Sequence, residues 1–195
     1  MNNAALIYTK LESFIRKFYT NELLRGTLFF IGLGLLYFLF TVFIEYFLWL
    51  QPFARTILFF IFISVEVFLL LRFILFPIFK LFKLQKGINY EIASAIIGKH
   101  FPEVSDKLLN FLQLSTAPNQ SELLVASIDQ KAASLQPIPF SNAINFKSNK
   151  KYIPLTLLPF FILFFLFFTG NSFVLSDGLN RVVHFKQQYL SPAPF

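Results

Sequence analysis

From Thr27 to Leu50 the chain carries a single charged residue, Glu45, in an otherwise almost unbroken run of Phe, Leu, Ile and Gly. That run is longer than the roughly 20 residues an α-helix needs to cross the hydrocarbon core of a bilayer. Inside lipid, backbone polar groups must be paired within the membrane, and a run with no period-two alternation meets that demand as a helix. A second run extends from Thr56 to Phe79, with Arg55 at its entry, Glu66 and Arg72 inside it and Pro77 near its exit. Tyr46, Trp49 and Pro52 between the two runs mark an interface and a tight turn. Lys80, Lys83 and Lys86 follow the second run, and Gly87 ends it. A third run, Ile153 to Thr169, is at the lower limit for a span; Pro154 is tolerated in its first turn and Pro159 predicts a kink. Extension through Gly170 to Leu175 would lengthen it.

Composition removes the soluble alternative. Hydrophobic residues make up 56% of the chain and charged ones 14%, against about 25% charged in a typical soluble domain. Thirty Phe in 195 residues are more apolar surface than a core of this size hides, and a bilayer solvates it directly. The net charge of +7 sits beside the apolar runs, so it points to orientation at an anionic membrane and not to nucleic acid, for which no fold signature is present. With no cysteine there is no disulfide, thiolate metal site or cysteine nucleophile. His100 and His184 are too far apart for a metal-ligand spacing. No cleavable signal is expected, because the first apolar run starts only near Gly26, is too long and lacks a small-residue cleavage site.

The basic residues set an orientation. Four Lys and Arg lie in residues 1–25 and nine in residues 80–151, while the link between the first two runs has only Arg55. This bias predicts a membrane protein with a cytoplasmic N-terminus, a cytoplasmic middle segment and an extracytoplasmic C-terminus.

The expected fold class is therefore an all-α membrane protein: a transmembrane helical hairpin plus a third span, with a small cytoplasmic helical unit between spans two and three. Residues 1–25 are an amphipathic cytoplasmic helix, 26–86 the two-span hairpin, 87–151 the cytoplasmic helical segment, 152–175 the third span and 176–195 an extracytoplasmic tail. In the first of these, Ile7, Leu11, Phe14, Ile15 and Phe18 share a face and Lys10, Arg16 and Lys17 lie away from it. The reading taken is a helix lying on the inner leaflet, the other being a helix packed on the protein's own cytoplasmic part. Between residues 88 and 146 three short helices are expected: Glu91 to Lys99 with Ile92, Ile96 and Ile97; one after Pro102 with Leu108, Leu109, Leu112 and Leu114, the first three covered; and one capped by Ser121 with Leu124, Ile128, Ala132 and Leu135. Pro137 and Pro139 then lead an extended stretch back to the bilayer. The tail holds one amphipathic piece near Leu179 to Phe185.

The stretch Ile97-Gly98-Lys99-His100-Phe101-Pro102-Glu103-Val104-Ser105-Asp106-Lys107-Leu108-Leu109-Asn110, continuing to Leu112-Gln113-Leu114, resembles the N-terminal region of large Bacteroidota membrane proteins of the domain of unknown function 4175 family. An Ile-Arg-Lys-Phe-Tyr start, the two-span hairpin, Pro139-Phe140 and the closing Pro192-Ala193-Pro194-Phe195 extend the likeness over nearly the whole chain. The resemblance implies an inner-membrane protein whose long extracytoplasmic region follows the last span, so that this chain is expected to be a fragment or truncated gene. It implies no activity. Read from its residues, the motif is structural: Pro102 stops one helix and starts the next, and the leucines supply a face. A polar site of His100, Glu103, Asp106 and Asn110 is the alternative.

The candidate site residues are the polar groups at membrane depth: Glu66, Tyr37, Arg72, Glu45 and Arg55. Glu66 lies near the middle of its run, where an ionised carboxylate costs at least about 2.5 kcal/mol. Counting outward from Gln51-Pro52 places the Tyr37 hydroxyl at the same depth, as a hydrogen-bond partner. Arg72 is expected to snorkel to the inner headgroups, and Glu45 and Arg55 to pair across the turn. Gly32 and Gly34 permit close helix approach. No catalytic, cofactor-binding or metal residues are identified. The expected function is a non-enzymatic anchor or scaffold in a cell-envelope complex, with the lipid bilayer and self-association or other protein partners through its helices. The alternative is a transport or proton-coupled subunit using Glu66.

Overall fold

A computed structural model describes residues 3–116 and 121–190, so the closing Pro192–Phe195 lies outside the described residues. Every regular element among them is helical. In chain order these are α1 (Asn3–Leu48), α2 (Pro52–Leu70), a π-helical turn (Leu71–Leu75), α3 (Phe76–Leu81), α4 (Tyr90–His100), α5 (Pro102–Ser115) and α6 (Glu122–Leu135). Two 3₁₀ segments follow (Phe140–Ala143, Phe146–Tyr152), then α7 (Ile153–Phe168) and α8 (Phe173–Val183). Three stretches are long and apolar enough to cross a membrane: Asn3–Leu48, Pro52–Leu81 and Phe140–Phe168. The chain divides into two units, Met1–Glu22 with Ile78–Ser148, and Leu23–Pro77 with Asn149–Phe195.

The first unit has its own hydrophobic core. Ile7, Leu11 and Phe14 of α1 are fully buried with Ala93 and Ile97 of α4, Val104, Leu108 and Phe111 of α5, and Ala132 and Leu135 of α6, beside the nearly fully buried Ile128. The expectation that this face of α1 lies on the leaflet is thus corrected: it closes the core of α4–α6, which are too short to enclose one alone. Lys10 and Lys17 are likewise not held out to water. Lys10 Nζ donates to the carbonyl oxygens of Gln136 at 2.7 Å and Ile138 at 2.5 Å, and Lys17 Nζ donates to that of Ser141 at 2.8 Å. The stretch they hold contains Pro137 and Pro139, which have no N–H to join a helix, and Lys10 also places a cation at the negative end of α6. Asn89 and Ser121 cap α4 and α6, accepting from the amides of Ile92 and Leu124.

Two of the apolar residues named for these helices are exposed, and one of them, Leu109, was expected to be covered. Leu109 is 38% exposed while Leu108 and Phe111 are fully buried, because the buried face of α5 runs through 104, 108, 111 and 112 at helical spacing. Ile92 is 50% exposed and Ala93 takes its place. Within the 97–114 motif, a Cβ on Gly98 would lie 2.6 Å from Ser105 Oγ and 3.0 Å from Ser105 Cα. Glycine there lets α4 and α5 meet directly across their short connection. His100, Glu103, Asp106 and Asn110 are all exposed, and no contact joins them into a site.

In the second unit α1 is the shared neighbour. A Cβ on Gly26 would strike the Phe73 carbonyl oxygen, and one on Gly32 would meet the Leu155 oxygen at 3.0 Å. Thr156 Oγ1 donates across to the Leu28 carbonyl at 3.0 Å. Phe73 is four residues before Pro77, which has no N–H to offer its carbonyl, and the chain passes this point as a π-helical turn. α1 also runs unbroken through Gly26.

The third apolar helix does not extend to Leu175. It ends at Phe168, where Gly170, at φ 73°, sends Asn171 N–H back to the Leu166 carbonyl at 2.9 Å. Its extra length comes from the other side, through the 3₁₀ segment Phe146–Tyr152. The tail helix begins at Phe173, six residues ahead of the expected Leu179, and buries Val174, Gly178, Arg181 and Val182.

Candidate functional site

The turn between α1 and α2 gathers the densest set of buried charge. Trp49 takes a left-handed conformation (φ 47°), which terminates α1, and Pro52 opens α2 at the position where its missing N–H costs nothing. This turn sets Glu45, in the last turn of α1, against Arg55, in the first turn of α2. Arg55 Nε and Nη2 both lie 2.9 Å from Glu45 Oε1, and both side chains are 0% exposed. Two further guanidinium bonds reach the backbone: Nη2 donates to the Leu50 carbonyl and Nη1 to the Gln187 carbonyl, each at 2.6 Å. The Tyr189 ring lies 4.9 Å from the guanidinium carbon. The expected Glu45–Arg55 pair is present, as a buried hub and not an exposed ion pair.

Three participants were not foreseen. Arg181 is 5% exposed, and its guanidinium stacks 3.5 Å over the Trp49 ring. Its charge also acts on Glu45. Gln187 supplies only a backbone oxygen, so no residue type signals it; Tyr189 is its neighbour on the same strand of chain. Arg181 did carry a signal: at 174, 178, 181 and 182 it is the lone charge on the apolar face of α8. Gly178 permits that face to approach α1, since a Cβ there would lie 2.8 Å from the Val42 carbonyl oxygen. Phe185 stacks on Phe59 at 4.6 Å and continues the contact along α2. Among the described residues, Glu45 Oε2 and Arg181 Nη1 are buried without a hydrogen-bond partner.

Glu66 is held differently from expectation. Its carboxylate faces Gly34, where a Cβ would stand 3.0 Å from Oε2, and its Oε1 is buried without a hydrogen-bond partner among the described residues. Tyr37 makes no bond to it and stacks instead on Phe62 at 6.0 Å and Phe40 at 6.3 Å. The cause is the centre of the turn. Glu45 with Arg55, Gly34 with Glu66, and Tyr37 with Phe62 are each centred on Leu50 to within a residue. Counting from Gln51-Pro52 shifted the partner of Glu66 by nearly one helical turn. Arg72 is exposed on the π-helical turn, with its guanidinium 5.8 Å from the Phe73 ring, away from the Glu66 notch.

Chemically, the turn cluster clamps: one fork-shaped cation joins the ends of α1 and α2 to the chain beyond α8. The Glu66 notch is a single acid in a fitted gap. No family model, curated protein or solved structure matches the chain.

Proposed function

We propose that this protein is a non-enzymatic anchor or scaffold subunit of a bacterial inner-membrane, cell-envelope complex. In this reading α1 pairs with α2–α3 as a transmembrane hairpin, α7 is the third span, and the α4–α6 unit is cytoplasmic. Membership of the family that the 97–114 motif resembles is part of the same proposal. The observation that carries it is the Arg55 hub. Several intramembrane and interfacial polar groups sit where helices meet: Arg55 binds Glu45 and the tail, Thr156 binds Leu28, and Gly34 accommodates Glu66. A tail fixed in this way to the helix ends supports the role of a rigid mount, with lipid and other helices meeting the exposed apolar faces of α2 and α7.

Topology reporters test the placement. Fusions after Gly87 and after Phe195 are expected to report cytoplasm and extracytoplasmic space respectively. The same signal at both would mean that Phe140–Phe168 does not cross, and the anchor model would fail.

One observation favours a second reading, a transport or proton-coupled subunit: the buried, unpartnered Glu66 Oε1. Substitution at Glu66 separates the two readings.

A further inference from the structure

We propose that the groove between residues 9–19 of α1 and the segment after α3 is a binding site for the headgroup of an anionic phospholipid. The groove encloses about 960 Å³, and its walls include Glu12, Arg16, Tyr19, Lys80, Lys83 and Lys86. All of these belong to one structural unit. Four cations therefore face one acid. Glu12 Oε1 is already shared between Lys83 Nζ at 3.0 Å and the Tyr90 hydroxyl at 3.2 Å. Among the described residues, Arg16, Lys80 and Lys86 have no partner for their charged groups.

The backbone holds these residues in place. The chain leaves α3 through a reversal in which Leu84 N–H returns to the Phe79 carbonyl at 2.8 Å and Lys83 N–H to that of Lys80 at 3.2 Å. That reversal normally takes glycine at its left-handed position, and here Lys83 occupies it at φ 58°. A lysine in that conformation gives up backbone freedom to aim its side chain across the groove at Glu12. On the other side, Tyr19 Oη accepts from the Ile88 amide at 2.6 Å, closing the loop over Gly87.

The same segment presents Phe82 and Leu84, 67% and 74% exposed, beside the cations. A soluble phosphate compound would satisfy the charges and leave these two side chains in water. A phospholipid satisfies both, its phosphate among the cations and its acyl chains on Phe82 and Leu84. The groove begins at Lys80, inside the last turn of the candidate span Pro52–Leu81. The proposal rests on reading that span as membrane-crossing.

The test uses the full chain purified into nanodiscs of phosphatidylcholine with a minor fraction of phosphatidylglycerol, with co-retained lipid measured by native mass spectrometry. Arg16→Gln/Lys80→Gln/Lys86→Gln is expected to lower phosphatidylglycerol retention by about a hundredfold, from the loss of three near-surface cations. Lys99→Gln/Lys107→Gln/Lys131→Gln, with the same charge change elsewhere in the unit, should leave it nearly unchanged. Equal loss in the two variants would overturn the groove as the site. A second readout labels Leu84→Cys with a fluorophore, since the chain is free of cysteine. Spin-labelled phosphatidylglycerol should quench it more than spin-labelled phosphatidylcholine, and soluble glycerol phosphate should not reverse the difference. Equal quenching, or reversal by glycerol phosphate, overturns lipid as the ligand while leaving the membrane reading intact. A chain that elutes without the nanodisc sinks both.

Discussion

Arg55 and Glu45 meet at 2.9 Å with neither side chain exposed, and the same guanidinium holds the Gln187 carbonyl at 2.6 Å. Removing one member of such a pair strands the other charge in a dry site, at a cost of about 3–5 kcal/mol. Arg55→Leu should therefore be strongly destabilising. Glu45→Leu/Arg55→Met, which removes both charges, should recover part of the loss. Arg55→Lys keeps the charge but loses the fork, so it cannot serve Glu45, Leu50 and Gln187 together. Its expected signature is a tail released to protease with the helices still formed. Unfolding of the single and double variants in mild detergent, with tail proteolysis alongside, checks this; additive losses would mean that the pair is not coupled.

Much of this arrangement was legible in the residues, and each miss has a physical cause. The three apolar runs, the α4–α6 boundaries and the Ser121 cap follow from local signals: length, period, proline and cap residues. The pairing of Tyr37 with Glu66 failed because helix-to-helix register depends on where a turn is centred, and the left-handed Trp49 moves that centre to Leu50. Leu109 failed because the run 108, 109, 112 contains one residue outside the face that Phe111 completes. The inner-leaflet reading of α1 failed because amphipathicity shows that a face must be covered and not what covers it. Gln187 acts through its backbone, which no side-chain pattern records.

The face of α5 gives a paired prediction. Leu108→Asp puts a carboxylate into the shared core of α1, α4, α5 and α6 and should abolish folding of the unit. Leu109→Asp, at a 38% exposed position, should cost less than about 1 kcal/mol. Folded yield and protease resistance of the two variants provide the measurement. Equal sensitivity would show that a further surface covers Leu109.

Gly26 carries a steric prediction. Its Cα faces the Phe73 carbonyl so closely that a Cβ cannot be placed without moving backbone. Gly26→Ala should improve helix propensity in α1 by up to about 1 kcal/mol and still destabilise the protein, because the two backbones are forced apart. A thermal midpoint in detergent at or above the parent value would contradict the close approach.

The loop after α3 should respond to pH on both flanks. A hydrogen bond from Lys83, with a second from Tyr90, holds the Glu12 carboxyl below the usual carboxylate range. Burial, then the bond to Glu12, pushes the Tyr90 hydroxyl above the usual phenol range. A lowered acid contributes stability above its unfolded pKa, about 4.3, and loses it as pH falls through the lower folded value. A raised phenol contributes below about 10 and loses it as pH rises through the higher folded value. The loop should thus be held across neutral pH and loosen at both extremes. Anisotropy of a label at Leu84→Cys reads this, and Glu12→Gln should flatten the acid limb.

Glu66 discriminates between the anchor and transport readings. Its carboxylate fits the gap opposite Gly34, so shape and polarity at that point are separable from its proton. Glu66→Gln keeps both shape and hydrogen-bonding capacity, and the anchor reading expects normal expression, assembly and growth. Glu66→Leu keeps the volume and removes the polar group. The expected loss in helix association is on the order of 1 kcal/mol, as for other interhelical polar contacts in membranes. Gly34→Leu should be worse than either, since it fills the gap from the other side and displaces the Glu66 side chain. A proton-coupled subunit gives a different order. Both Glu66 substitutions would then stop function while assembly survives, because neither amide nor alkane releases a proton. Co-purification of subunits and proton flux in liposomes, measured on the same preparations, distinguish the two orders. A Gln variant that assembles fully and has lost a flux the parent shows would make Glu66 the working residue of a transporter.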